Sequence, residues 1–451
     1  MNDTPHSSTE PGTPLRRTLT TTLLYFFILG DVLGAGVYVL VGQVAAESGP
    51  AVWLPLAVAL GLALLTAASY AELATRFPRA GGASHYATLA YGPFVGFLAG
   101  FCMLAAGVVS VGALARGFAG DYLAEFVSLP VALVAVVFLA ALALLNLRGI
   151  SESTRANAVA TVIEVGGLVL VIGLGAWVLL RGDGDVGRLA DVGTAGSGPT
   201  AAVLSGAVLA YYSFVGFETS VNVAEETRNP RRAYPRALFG ALITAGLVYV
   251  LVGCVAAAAV PTQTLVDSSG PLLEVVKEAG GVPPRVFSVV ALVAVANGAL
   301  LTGIMTSRLT FGMARDGLLP RALTRVLPGR RTPWAAIAAT TVLSLLLALT
   351  GSVATLASTL VLLLLVVFFI VNTAALVLRR KHPAGEHSDH ERSDRDHFRA
   401  PAVVPALGAA SCVVLATQVE GEVWLRGLIV LAAGCVLATC VTLRRRARKQ
   451  A

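Results

Sequence analysis

Hydrophobic and polar positions in this chain are segregated into long blocks. Asp, Glu, Lys and Arg are absent from Ser48–Ala71, Ala80–Ala115, Phe126–Leu147, Val192–Phe217, Ala237–Val266, Val286–Ser307 and Ala400–Val419. They are absent too from Thr332–Leu378, which is long enough for two crossings with a break near Gly351-Ser352. Three further runs, Thr18–Ala46, Ala156–Leu180 and Gly427–Leu443, carry one internal acid or are slightly short. A helix needs about 20 apolar residues to cross a bilayer, so the pattern predicts twelve membrane-spanning helices. A β-barrel would show alternating segments of about 10 residues, and these runs do not alternate.

Composition agrees. Of 451 residues, 56% are hydrophobic and 13% charged, against about 45–50% and about 25% in soluble domains. That excludes a soluble or disordered chain, and no nucleic-acid partner is expected despite the net charge of +7. The five cysteines lie in apolar stretches and read as small hydrophobes. An even number of spans places both termini on one side. If that side is cytoplasmic, 27 of the 33 Lys and Arg fall in cytoplasmic segments, which the positive-inside rule requires. The expectation is a multi-pass protein of the cell membrane with both termini cytoplasmic. No cleavable signal peptide is expected, because the first 21 residues are polar and the first apolar run is long enough to span. Four of the six histidines (His382, His387, His390, His397) share one charged loop. A solvated loop is favoured there over a metal site, and neither metal nor cofactor is expected.

In lipid each backbone polar group must be satisfied within its helix, so glycine clusters inside spans are informative. Span 1 contains Gly30-Asp31-Val32-Leu33-Gly34-Ala35-Gly36-Val37-Tyr38. Such a stretch can unwind and offer N–H groups, with the following half-helix supplying positive partial charge suited to a carboxylate. Span 6 contains Tyr211-Tyr212-Ser213-Phe214-Val215-Gly216-Phe217-Glu218, where unwound carbonyls could hold an ammonium group. Close helix packing through small residues is the alternative at each. The two are the first helices of two five-span halves, and paired interruptions point to a transporter's substrate site.

Several motifs resemble the amino acid–polyamine–organocation (APC) superfamily of permeases, most nearly its cationic-amino-acid-transporter-like bacterial branch. They are Gly34-Ala35-Gly36-Val37 and Tyr70-Ala71-Glu72-Leu73, followed by Phe77-Pro78-Arg79-Ala80-Gly81-Gly82-Ala83-Ser84. Gly149-Ile150-Ser151-Glu152-Ser153 opens span 5, and Phe214-Val215-Gly216-Phe217-Glu218 leads to Ala224-Glu225-Glu226-Thr227-Arg228-Asn229-Pro230 and Tyr234-Pro235. Thr306-Ser307-Arg308 and Met313-Ala314-Arg315-Asp316-Gly317-Leu318-Leu319-Pro320 follow. The resemblance implies an all-α integral membrane protein of LeuT-like fold, two inverted five-helix repeats plus two peripheral helices. On that plan residues 1–21 are a cytoplasmic tail, 22–182 the first repeat and 192–380 the second. Residues 381–399 are a charged cytoplasmic loop, 400–443 spans 11 and 12, and 444–451 a basic tail. The resemblance further implies that a substrate carboxylate meets the N–H groups of Gly34, Ala35 and Gly36, next to Val37. The amino group would meet carbonyls near Tyr211, Tyr212 and Phe214, beside Gly216. Tyr212 falls where relatives carry an aromatic gate, with ordinary aromatic packing as the alternative.

Ionisable groups at depth are few: Asp31, Glu164 and Glu218. Each is a functional hypothesis by default. Glu72 is nearer the end of span 2 and is expected to pair with a loop arginine. Glu164 stands where proton-coupled relatives carry a lysine. A carboxyl group in an apolar setting can exchange a proton as its surroundings change, so Glu164 is expected to couple transport to protons. The competing reading ties it to span 1 backbone N–H groups for shape alone. Asp31 is expected to have a structural or gating role, pairing with Arg308 or Arg155 or capping the broken helix. Span 1 carbonyls with Thr302, Thr306 or Ser307 could instead form a sodium site.

Cationic-amino-acid relatives carry a glutamate in span 3 where this chain has Ala106, so a neutral amino acid is favoured as substrate. Glu218 or Asp31 could still serve a cationic side chain. The expected partners are therefore an amino acid, a proton and the lipid bilayer. Exchange of an amino acid or a polyamine remains open as an alternative to symport. Among other classes, an intramembrane enzyme lacks a suitable histidine; Gly182-Asp183-Gly184-Asp185 matches a G-x-G-D protease pattern but reads as a polar turn. A channel would need a polar pore lining, and a sensor a soluble output domain.

Overall fold

The computed structural model describes residues 19–77, 81–148, 153–193, 198–330, 332–381 and 397–450. Pro78-Arg79-Ala80, Gly149–Glu152 and most of the histidine-rich loop lie outside these. Among the described residues the chain is helical, its single β interaction being an isolated parallel bridge between Leu19 and Thr227.

The chain begins with α1 (Thr21–Val32) and α2 (Gly36–Ser48), then α3 (Trp53–Arg76), α4 (Gly82–Tyr91), α5 (Pro93–Phe118) and the short α6 (Asp121–Ala124). Next come α7 (Val131–Arg148), α8 (Ser153–Arg181), α9 (Pro199–Tyr212) and a 3-10 helix, Phe217–Glu226. The second half holds α10 (Pro230–Ala259), α11 (Thr262–Asp267), α12 (Pro271–Ala279), α13 (Pro284–Arg315), α14 (Trp334–Thr350) and α15 (Val353–Lys381). Helices Val403–Thr417 and Gly421–Gln450 end the chain. Proline opens α5, α9, α10, α12 and α13, where its missing N–H costs no helical bond.

Among the described residues eight helices are long and apolar enough to cross a membrane, or nine when the bent pair α1–α2 counts as one. Three of the predicted spans form shorter apolar helices: α9 with 14 residues, α14 with 17 and Val403–Thr417 with 15. At about 1.5 Å per residue these reach about 21–26 Å, less than a hydrocarbon core of about 30 Å. The causes are local. The run through α9 unwinds after Tyr212, and the 332–378 run divides at Gly351 as expected, leaving α14 the shorter piece. Outward faces stay apolar, with Val162 73% and Ile429 62% exposed; lipid, not water, suits them.

Small residues set the helix spacing. A Cβ on Gly246 of α10 would stand 2.5 Å from Leu60 of α3, and one on Gly253 would stand 2.8 Å from Leu56. The two ends of the bundle are tied differently. At the end bearing Arg76, the buried Glu72 accepts from Arg379 Nε at 2.6 Å and from its Nη2. Arg379 also donates to the Ala400 carbonyl at 2.8 Å. The partner expected for Glu72 is thus an arginine in the last turn of α15. At the opposite end Asp121 of α6 accepts from Ser268 Oγ at 3.0 Å and Ser269 N at 2.8 Å. Lys277 reaches Glu125 at 3.3 Å there. The G-x-G-D segment is a polar turn after α8: Asp183 pairs with Arg181 at 2.9 Å, and Asp185 accepts from Gly187 N at 2.9 Å.

Candidate functional site

Both expected interruptions are present and face each other. α1 stops at Val32 and α2 starts at Gly36, with a bend of 48° between them. The Gly34 N–H donates back to the Val32 carbonyl at 2.7 Å, and Tyr249 Oη donates to the same carbonyl at 2.5 Å. No side chain caps α2, and a helix leaves its first N–H groups without intrahelical partners. The N–H donors at this break are therefore those of Ala35 and Gly36 and the first turn of α2. Gly34, expected among them, is engaged within the break.

α9 ends at Tyr212 and the chain turns through Ser213–Gly216 into the 3-10 helix. The Tyr211 carbonyl accepts from Phe214 N at 3.0 Å and also receives the Ser213 N–H, whereas the Tyr212 carbonyl accepts from Val215 N at 3.1 Å and keeps a second lone pair. Two glycines permit the contact between breaks. A Cβ on Gly36 would lie 2.9 Å from Ser213 Cα. Gly216 has φ +131°, and its Cβ would lie 2.7 Å from the Asp31 carbonyl oxygen. Positive φ and that backbone contact both demand glycine.

A cavity of about 430 Å³ opens at this junction. Span 1 contributes Asp31, Gly34, Ala35 and Gly36; span 6 contributes Tyr212, Ser213, Val215 and Gly216. α5 supplies Met103, Ala106 and Ser110, α13 supplies Thr302, Thr306 and Arg308, and α15 supplies Leu360 and Leu364. The wall continues to Gly81, Gly82 and Asn222, toward the end that carries Arg76. Of the other expected site residues, Val37, Tyr211, Phe214 and Glu164 are not in this wall. Phe214 packs edge-on against Tyr249 at 5.4 Å, and Tyr211 stands 5.8 Å from Phe368.

Tyr212 Oη and Ser110 Oγ are 3.0 Å apart, which fixes the tyrosine ring across the cavity wall. Asp31 Oδ2 accepts from Thr219 Oγ1 at 2.5 Å. Arg308 shares the cavity, but among the described residues no ion pair joins it to Asp31; the Arg155 side chain is not described. Glu218 is buried and accepts from Gly216 N at 2.9 Å, which braces the turn after α9. Glu164 is buried in α8, and its Oε1 accepts from Asn297 Nδ2 of α13 at 3.0 Å. Its contact with span 1 runs through its carbonyl, which accepts from Tyr38 Oη at 2.6 Å. Thr306 Oγ1 donates to Thr302 O at 2.7 Å and Ser307 Oγ to Ile304 O at 3.0 Å, so both hydroxyls are engaged by their own helix.

Ser110, Thr219 and Asn297 are the site residues that sequence reasoning missed. Their partners are 102, 188 and 133 positions away, and a Ser, Thr or Asn carries no signal of its own for a partner so distant.

The family profile described as "Amino acid permease" matches residues 19–434. The chain belongs to the amino acid permease family, within the APC superfamily. This permease is 31% identical over 422 residues to the vacuolar cationic amino acid transporter 4 of Arabidopsis thaliana, covering 88% of this chain and 68% of that one. It is 27% identical over 447 residues to a branched-chain amino acid permease of Bacillus subtilis, covering 94% and 92%. A methylthioribose transporter of the same organism is 28% identical over 448 residues, covering 94% and 93%. The relatives are named as transporters, and the apolar helices make the permease a multi-pass membrane protein.

Proposed function

We propose that this permease carries a neutral amino acid across the cell membrane by alternating access, driven by proton symport. The observation that carries this reading is the meeting of two helix breaks on one cavity. In it the uncapped start of α2 suits an anion and the Tyr212 carbonyl at the end of α9 suits a cation, matching the carboxylate and ammonium groups that an α-amino acid bears on one carbon. A volume of about 430 Å³ lies in the range of small-molecule sites, about 300–1,000 Å³. Tyr212 is the gate over the bound substrate. α9, α14 and Val403–Thr417 cross as short spans beside the longer helices, which gives twelve spans in two inverted repeats and two peripheral helices. Both termini are then cytoplasmic, and the cavity faces the cytoplasm while the Asp121–Ser268 contacts close the outer side.

Ala106 and Met103 leave the α5 wall of the cavity without a charge, which supports a neutral substrate. Glu164 is the proton-coupling group: it bridges α8 and α13 beside span 1, where a change of protonation alters its bond to Asn297. A second reading, uptake of a cationic amino acid, is favoured by one observation, the presence of Asp31 and Glu218 in the cavity wall. The deciding experiment is competition by a panel of unlabelled amino acids for uptake of labelled leucine or alanine into proteoliposomes. Competition by neutral amino acids supports the first reading. Uptake of lysine or arginine that neutral amino acids do not inhibit overturns it.

A further inference from the structure

Asp31, Glu218 and Arg308 are the charged residues in the described wall of the cavity between the two breaks. Glu218 is buried and engaged by the turn after α9, through Gly216 N. Asp31 is held by a neutral group, Thr219 Oγ1. Arg308 is exposed in the cavity, and its side chain forms no hydrogen bond or ion pair with a described residue. It stands seven residues before the end of α13 at Arg315, and a guanidinium at that depth of a spanning helix is normally paired.

Span 1 touches α13 at its break, where a Cβ on Gly298 would lie 3.4 Å from Ala35 Cβ. From that contact both helices run toward the Arg76 end. α1 does so backwards to Leu19, and α13 runs away from Arg285, which donates to the Glu125 carbonyl at the opposite end. Asp31 is four residues along one and Arg308 ten along the other, about 6 Å and about 15 Å, and the cavity opens between them. Side chains lean toward the N-terminus of their own helix. Asp31 therefore leans toward the Arg76 end and the long Arg308 side chain leans back toward the break, which narrows their difference in depth. The chain already bends by 48° between Val32 and Gly36, and no side chain caps α2, so α1 has a hinge at its inner end. We infer that Asp31 and Arg308 are the two halves of a latch, which pair when α1 swings toward α13 and so close the cavity at the end where it is now open. The inference rests on the transport reading, since an alternating site needs its open side shut in turn. Thr219 holds Asp31 until then.

The test places a cysteine at Met305, an exposed residue of the cavity wall, in the full-length chain in membrane vesicles with the Arg76 end outward. Labelling of that cysteine by a membrane-impermeant maleimide, read by peptide mass spectrometry, reports how far the cavity is open to that side. An ion pair near solvent is worth up to about fivefold in an equilibrium. Asp31→Asn and Arg308→Gln should therefore each speed labelling about two- to fivefold over the parent. Asp31→Arg with Arg308→Asp should bring the rate back to that of the parent and restore part of the uptake that the single changes lose. Single changes that label at the parent rate, or a swapped pair that labels as fast as they do, overturn the inference. Labelling needs no substrate, so failure of the transport reading, seen as no uptake of any amino acid by the parent, is read separately. Should the swapped chain fail to fold, Asp31→Cys with Arg308→Cys decides: a short bifunctional thiol reagent should join the two, and the absence of a cross-link overturns the inference.

Discussion

Gly36 of span 1 meets Ser213 of span 6 so closely that a single added Cβ would stand 2.9 Å from the Ser213 Cα. The neighbour is backbone and cannot rotate away, so a methyl group there must push the two breaks apart. Overpacking of this kind costs about 1–3 kcal/mol. Gly36→Ala should reduce amino acid uptake about tenfold or more while the protein remains monodisperse on size exclusion. Gly61→Ala on α3, where a Cβ meets nothing within 4 Å, should transport normally. Equal activity of the two variants would show that the breaks need not touch.

Tyr212 and Ser110 hold one another at 3.0 Å across the cavity. A net hydrogen bond is worth about 0.5–1.5 kcal/mol, so Tyr212→Phe and Ser110→Ala should each raise KM for uptake about three- to tenfold. Because they remove the same bond, the double variant should cost little more than either one. Additive effects in a double-mutant cycle would separate the two residues functionally.

Glu72 and Arg379 form a buried pair between α3 and α15 that also holds Ala400, just before Val403–Thr417. Removing one member of such a pair leaves the other charge unmatched, at a cost of about 3–5 kcal/mol. Glu72→Gln and Arg379→Gln should each lower the thermal midpoint of the detergent-solubilised protein well below that of the parent. Replacing both by Met should be less harmful than either single change, since no orphan charge remains. A double variant as unstable as the worse single one would argue against this view of the pair.

How much of this was readable beforehand depended on whether the signal was local. Runs without charge announced the helices, and Gly34–Gly36 and Gly216 announced the interruptions, because both follow from what a bilayer forbids to the backbone. Glu72 could be assigned an arginine because a buried carboxylate at a helix end needs one. The particular arginine, 307 residues away, is a property of the packed bundle. The same holds for Asn297 beside Glu164 and for Thr219 beside Asp31. α9 is shorter than its charge-free run because hydropathy continues past Tyr212 to Phe217 while the backbone turns after Tyr212 to meet span 1, at the interruption expected there.

Ala106 lines the cavity from α5 and leaves that wall without a charge. Ala106→Glu should shift preference toward lysine and arginine by about tenfold or more, the scale of a charge-assisted hydrogen bond of about 1.5–3 kcal/mol. Competition curves for leucine and lysine in proteoliposomes measure the shift. An unchanged ratio would mean that residue 106 does not face the substrate side chain.

The central claim, proton-driven accumulation of an amino acid through Glu164, is tested most directly in one pair of proteoliposome experiments. Labelled neutral amino acid is supplied outside, with and without an inward-acid pH gradient, to the parent and to Glu164→Gln. The account predicts accumulation above the external level with the gradient, its collapse on adding an uncoupler, and no gradient-driven accumulation by Glu164→Gln, which still exchanges substrate. Uptake by the parent only when the lumen is preloaded with amino acid, or an unchanged response to pH in Glu164→Gln, would contradict it.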